Sequence, residues 1–308
     1  MELLESIAEL ENVAGPVHLG IGVFDGFHLG HQAVIDSALE KASAIGGSAV
    51  AVTFDPHPAT ILRPDAAPRL LTSVRHKLRL IAARGVPYLL KVRFDEAFAL
   101  LEAESFIEAL ANHAKPLRTI SVGHDWAFGR GRRGNVAMLK ASGEIYGFSV
   151  IEVASVQMDG LPISSTRIRK AVEAGELDEA AQFLGRRYSI LGAVEEGKRL
   201  GRTIGFPTAN LNAGNEQFPP NGVYAVNVRW KNREATGMAN IGVRPTVNDS
   251  HAPKKLEVHL FGVNEDLYGL DLDVEFTRFL RPEIKFPSVD ALKAQLILDR
   301  ESAQSLQE

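Results

Sequence analysis

The 308-residue chain contains no cysteine. That excludes a disulfide framework, a thiolate metal site and a cysteine nucleophile. Long apolar runs are missing too, and nothing approaches the roughly 18 consecutive residues that span a bilayer. The opening Met1-Glu2-Leu3-Leu4-Glu5 is acidic and lacks the basic segment and apolar core of a signal peptide. A cytoplasmic protein without a membrane partner is expected. Positive charge is not in excess: 34 Lys and Arg face 38 Asp and Glu, a net charge of -4. No dominant basic surface for nucleic acid is expected, although the sum leaves room for a local patch. The Gly-x-x-x-x-Gly-Lys-Ser/Thr phosphate loop is absent, as are internal repeats and low-complexity stretches. What is present is ordinary globular material, 45% hydrophobic and 23% charged. It is long enough for about two domains, each with its own core.

Strand and helix patterns alternate through the first half. Continuous apolar runs at 17–24, 48–54, 86–92, 119–122 and 148–153 read as strands. Helical patterns occupy 29–44, 73–84, 104–113, 136–146, 165–174 and 177–183. Apolar rather than alternating strands, interleaved with helices, predict a parallel sheet covered on both faces, with the loops after the strands at one edge. The pattern changes near Gly185, placing a domain boundary between residues 185 and 186. From Tyr188 short strands and turn signals follow, which suggests a small antiparallel barrel. The last helix is expected at 288–304, with Ser288 as N-cap and Leu292, Leu296 and Ile297 on one face.

Gly22-Val23-Phe24-Asp25-Gly26-Phe27-His28-Leu29-Gly30-His31 runs from the end of a strand into a helix. Backbone N–H groups at a helix start favour phosphate. Gly26 and Gly30 let a ligand approach the backbone. His28 and His31 share a face of the first turn and can donate hydrogen bonds to phosphate oxygens as charge builds. Two imidazoles also suit zinc, but no third ligand lies nearby. This segment resembles the His-x-Gly-His signature of the nucleotidyltransferase superfamily. Three other segments accompany it: Thr53-Phe54-Asp55-Pro56-His57-Pro58, Gly123-His124-Asp125-Trp126-Ala127-Phe128-Gly129, and Ile163-Ser164-Ser165-Thr166-Arg167-Ile168-Arg169. Hydroxyls at the start of the last one, beside Arg167, make a second anion cradle or a plain N-cap.

In the second half the informative run is Gly197-Lys198-Arg199-Leu200-Gly201-Arg202-Thr203-Ile204-Gly205-Phe206-Pro207-Thr208-Ala209-Asn210. Its glycines let a loop wrap phosphates. Thr208 and Asn210 alternate, so on extended backbone they point the same way and offer hard oxygen ligands for a Mg²⁺-nucleotide. Leu256-Glu257-Val258-His259-Leu260 alternates as well. Glu257 and His259 share the face opposite the core, and the pattern alone leaves Glu257 open as a solvated carboxylate or as a general base.

Together these segments resemble the bacterial bifunctional riboflavin kinase/FMN adenylyltransferase (FAD synthetase) family. The match also rests on Gly222-Val223-Tyr224-Ala225-Val226, Asn240-Ile241-Gly242-Val243-Arg244-Pro245-Thr246 and Arg281-Pro282-Glu283-Ile284-Lys285-Phe286, and it covers nearly the whole chain. Val23, Trp126 and Val247 depart from residues frequent in that family. The resemblance implies a Rossmann-like nucleotidyltransferase domain over residues 1–185 and a six-stranded riboflavin-kinase barrel with a closing helix over residues 186–308. It implies that Gly22, Phe24, Asp25, Gly26 and Gly30 line the nucleotide, and that His28 and His31 stabilise the α-phosphate and leaving pyrophosphate. Ser164, Ser165, Thr166 and Arg167 would hold the β- and γ-phosphates, and Asp125 would lie near the adenine or ribose and the incoming FMN. In the barrel, Gly201, Gly205 and Pro207 would form the nucleotide- and phosphate-binding loop, Thr208 and Asn210 would hold Mg²⁺-ATP, and Glu257 would activate the riboflavin 5′-hydroxyl. ATP, riboflavin, FMN, FAD and pyrophosphate are the expected partners, with oligomeric state left open. A chain with one surviving activity, or a flavin sensor without chemistry, are the rival readings.

Overall fold

The computed structural model describes residues 1–197, 201, 204–243 and 254–305. Contacts divide the chain into two compact units, residues 1–69 with 74–165, and residues 70–73 with 166–308.

The first unit is a six-stranded sheet: β1 (Glu2–Leu4), β2 (Val17–Ile21), β3 (Ser48–Asp55), β4 (Tyr88–Arg93), β5 (Leu117–Gly123) and β6 (Ser149–Val153). Every pairing is parallel, in the order β1-β4-β3-β2-β5-β6. Its helices are α1 (Leu29–Ile45), α2 (Pro58–Leu62), α3 (Val74–Ala83), α4 (Glu96–Ala99), α5 (Ala103–His113) and α6 (Val136–Tyr146). Along β3, Val50 and Val52 enter one apolar cluster and Ala51 the other, so both faces of the sheet are covered. A hairpin, β7 (Gln157–Met158) with β8 (Leu161–Pro162), follows.

β3 and β4 lie on one side of β2, and β5 and β6 on the other. The strand order therefore reverses between β2 and β5, and the crevice beyond their C-terminal ends is where open parallel sheets bind ligands. Strand β2 is shorter than the 17–24 expected. The Gly22 N–H still bonds to the Val52 carbonyl at 3.0 Å, but Phe24 then turns to φ 55° and the chain leaves the sheet.

The second unit holds α7 (Ser165–Ala174) beyond its first residue, then α8 (Leu177–Leu184). Its closed barrel runs β10-β13-β12-β11-β14-β9. The strands are β9 (Ser189–Glu195), β10 (Ala209–Asn212), β11 (Gly222–Trp230), β12 (Arg233–Val243), β13 (Lys254–Leu260) and β14 (Asp271–Arg281), and all pairs are antiparallel. Helix α9 (Val289–Gln304) ends the chain's described structure, and Ser288 caps it by accepting the Ala291 N–H at 3.1 Å, as expected. Leu296 and Ile297 pack against Phe206, Val223 and Met238, while Leu292 is half-buried. Buried Asp299 ties the helix to β14 through Arg281, with bonds of 2.7 and 2.9 Å. Residues 70–73 also belong to this unit. Leu70 bonds to Asn215, and the Ser73 N–H to the fully buried Glu216 at 2.7 Å. Among the described residues no helix is long and apolar enough to cross a membrane.

Candidate active sites

The loop from β2 to α1 lies at the strand-order reversal. Phe24 and Phe27 adopt φ of 55° and 43°, and Gly26 a φ of 80°. Bulky residues in the left-handed region are strained, and such strain persists only where the surroundings over-determine it. Here the Val23 carbonyl accepts Thr53 Oγ1 at 3.0 Å, the Asp25 carbonyl accepts Ser165 Oγ at 2.9 Å, and the Phe27 carbonyl accepts Gln32 Nε2 at 2.9 Å.

His28 is the N-cap of α1, its Nδ1 accepting the His31 N–H at 3.3 Å. An accepting Nδ1 places the proton of the neutral ring on Nε2, making that nitrogen the donor. The two imidazoles stack with centroids 3.6 Å apart and planes 19° from parallel, and Phe24 meets His31 edge-on at 5.5 Å. Gly30 makes this stack fit, because a Cβ there would come within 3.1 Å of the His28 ring. His31 is partly exposed, yet its Nδ1 is buried without a hydrogen-bond partner. Burial, then the His28 and Lys77 charges, hold this imidazole well below its ordinary value of 6.5, so it is neutral at pH 7.

Acid should therefore weaken the fold through this ring. Below pH 6.5 the unfolded chain takes up a proton at His31 that the folded chain refuses, so this group's contribution falls as the pH falls. In denaturant titrations from pH 7.5 to 5, H31N is expected to lose less stability than the unaltered protein. Parallel curves would contradict the assignment.

Asp125 is exposed just beyond β5, the strand beside β2, with Trp126 stacked on Phe128 at 4.3 Å. Ser164 precedes α7, and Ser165 opens it with the bond to the Asp25 carbonyl. Thr166 and Arg167 fall in the second unit, where the Arg167 guanidinium lies 4.3 Å over the Phe183 ring. Thus the His-x-Gly-His loop and Ser165 meet within one unit.

In the barrel, strand register assembles a second site. Glu257 of β13 pairs with Asn210 of β10 on one side and Asn240 of β12 on the other. Directly opposed residues of antiparallel strands share a face, so carboxylate and both amides line up across three strands. Leu256 and Val258 are buried toward the barrel core, leaving Glu257 on the outer face. Asn240 Nδ2 also donates to Glu283 Oε1 at 3.1 Å. His259, on the same outer face, donates from Nδ1 to the Pro207 carbonyl at 2.7 Å and so holds the Phe206-Pro207 turn beside β13. Gly201 allows that turn to close, since a Cβ there would sit 2.2 Å from the Phe206 carbonyl. Gly205 follows at φ 83°, Thr208 is exposed and Asn210 half-buried. Lys198, Arg199, Leu200, Arg202, Thr203 and the segment with Arg244-Pro245-Thr246 and Val247 lie outside the described residues.

The sequence alone assigns no site role to two residues near these sites. Asn240 is recognisable only once β12 is registered against β13. Lys77 had a local signal: it sits four residues before Ile81 on the core-facing side of α3, where a lysine is out of place.

A family model described as FAD synthetase matches residues 11–167, and one described as riboflavin kinase matches residues 184–307. A Haemophilus influenzae protein named bifunctional riboflavin kinase/FMN adenylyltransferase is 40% identical over 307 residues, spanning 99% of each chain. The chain belongs to the bifunctional riboflavin kinase/FMN adenylyltransferase family. An Escherichia coli K12 member of the family is also 40% identical, over 93% of this chain and 91% of its own. A crystal structure from Streptococcus pneumoniae, described as a macrolide-efflux protein, has the same fold over 99% of both chains, with a TM-score of 0.82 at 30% identity. The two family models fall on different halves of the chain, one over the parallel-sheet unit and one over the barrel.

Proposed function

We infer that the chain phosphorylates riboflavin to FMN with one ATP and adenylylates FMN to FAD with another, releasing pyrophosphate. The observation that carries this reading is a difference in chemistry between the sites. The barrel site presents a carboxylate, Glu257, between two amides, whereas the β2–α1 site presents stacked imidazoles at a helix start. An alcohol nucleophile needs a base, while the FMN phosphate is already an anion near neutral pH.

In the kinase step, residues 186–308 bind riboflavin and ATP. Glu257 takes the proton of the 5′-hydroxyl, the oxygen attacks the γ-phosphorus, and ADP leaves. Thr208 and Asn210 supply hard oxygen donors that suit Mg²⁺. When bound, the ion neutralises triphosphate charge. In the adenylyl step, assigned to residues 1–185, an FMN phosphate oxygen attacks the α-phosphorus and the bond to the β-phosphate bridge breaks. His28 and His31 donate to the oxygens that gain charge. Gly22, Phe24, Asp25, Gly26 and Gly30 shape the cradle. Ser164, Ser165, Thr166 and Arg167 hold the β- and γ-phosphates, and Asp125 lies near the adenine or ribose and the incoming FMN. ATP as the shared substrate supports a cytoplasmic setting.

The test is to incubate the protein with riboflavin, ATP and Mg²⁺ and resolve the flavins by chromatography over time. FMN should rise first and then give way to FAD. FMN that accumulates without FAD would leave only a kinase. Unchanged riboflavin bound tightly to protein would point to a sensor.

A further inference from the structure

Lys77 is buried on the core side of α3, with 6% of its surface exposed. A buried ammonium is costly unless its hydrogen bonds are met, and an apolar residue would serve the core better. Lys77 directs its donors to two main-chain carbonyls, Val23 at 3.0 Å and Phe54 at 3.3 Å. Val23 opens the strained turn that carries His28 and His31, and Phe54 is the penultimate residue of β3. The Val23 carbonyl accepts Thr53 Oγ1 as well, so β3 and α3 converge on one peptide of the loop. Holding that peptide fixes the direction in which a positive-φ segment leaves β2, and hence where the helix cap begins.

We propose that Lys77 is a positioning residue for adenylyl transfer, tying the β2–α1 loop to the end of β3 so that His28 and His31 remain aimed at the α-phosphate. This rests on the reading of the two histidines given above. The charged and titratable groups that face the ammonium are Asp25 in the loop, Asp55 at the end of β3 and His31 on α1. Burial lowers its pKa to about 8, with Asp25 and then Asp55 opposing the drop. Charge-assisted bonds are about twice as strong as neutral ones, so loss of this proton loosens the loop.

The experiment measures FAD formation from FMN and FMN formation from riboflavin on the same preparations, from pH 6.5 to 9.5. In K77M, kcat for FAD formation should fall about 100-fold, the scale of a misplacement near 1 Å. The KM for ATP should change little, and the kinase rate should stay as in the unaltered protein. In the unaltered protein the ratio of FAD-forming to FMN-forming rate should decline above about pH 8, and in K77M that decline should be absent. An FAD-forming rate within twofold of the unaltered protein in K77M, or a decline that persists in K77M, overturns the proposal. If K77M fails to fold, the ratio in the unaltered protein decides, and a flat ratio overturns the proposal. H28A/H31A is run beside it. Should that variant keep forming FAD, the histidine reading falls and takes the Lys77 proposal with it.

Discussion

Replacing both His28 and His31 with alanine is expected to lower FAD formation from FMN about 1,000-fold. One preorganised donor to developing negative charge contributes on the order of 10²–10³ in rate, and donors that act as a unit do not add. The rings here act as a unit. They stack at 3.6 Å, and the His28 Nδ1 receives the N–H of His31 itself. The double substitution also removes the N-cap of α1, which costs about 1 kcal/mol. H28N separates the two effects, because asparagine caps a helix but lacks the imidazole donor. It should retain fold stability and still lose most FAD formation. FMN formation from riboflavin should be unchanged in every one of these variants. Rapid FAD formation by H28A/H31A would remove the imidazoles from the chemistry.

The complementary loss is expected at Glu257. E257Q keeps the side chain's volume and one acceptor oxygen but cannot accept the hydroxyl proton, and general bases contribute about 10²–10⁴ in rate. Kinase activity should fall by that order, while FAD formation from supplied FMN continues. The amide introduced by E257Q still fits between Asn210 and Asn240, so the KM for riboflavin and for ATP should change little. A kinase rate unaffected by E257Q would mean that the hydroxyl loses its proton elsewhere and that Glu257 is a structural neighbour.

What could be read in the sequence follows from the range of the interactions involved. The β2–α1 loop was legible because its signal is local: an apolar run, glycines, and two histidines on the first turn of a helix. The outward face of Glu257 was also legible, because Leu256, Val258 and Leu260 alternate with it and are buried in the barrel. Asn240 was not, since only the register of β12 against β13 brings it beside Glu257. Strand β1 escaped notice because its three residues begin with an exposed glutamate, and it is recognisable only by its pairing with β4. Residues 70–73 carry no hint of their place against Asn215, Glu216 and Gln217, more than a hundred positions away. Lys77 combines both cases. Its core-facing position was readable from helical spacing, but the two carbonyls it binds come from separate strand ends.

The central claim is that one chain attacks ATP at different phosphorus atoms in two sites. Labelled ATP tests it most directly. The unaltered protein is supplied with riboflavin, Mg²⁺ and ATP labelled at either the γ- or the α-phosphate, and label is followed into each flavin. γ-Label should enter FMN and persist in FAD, while α-label should enter FAD alone. FAD without α-label, or FMN without γ-label, would contradict the account.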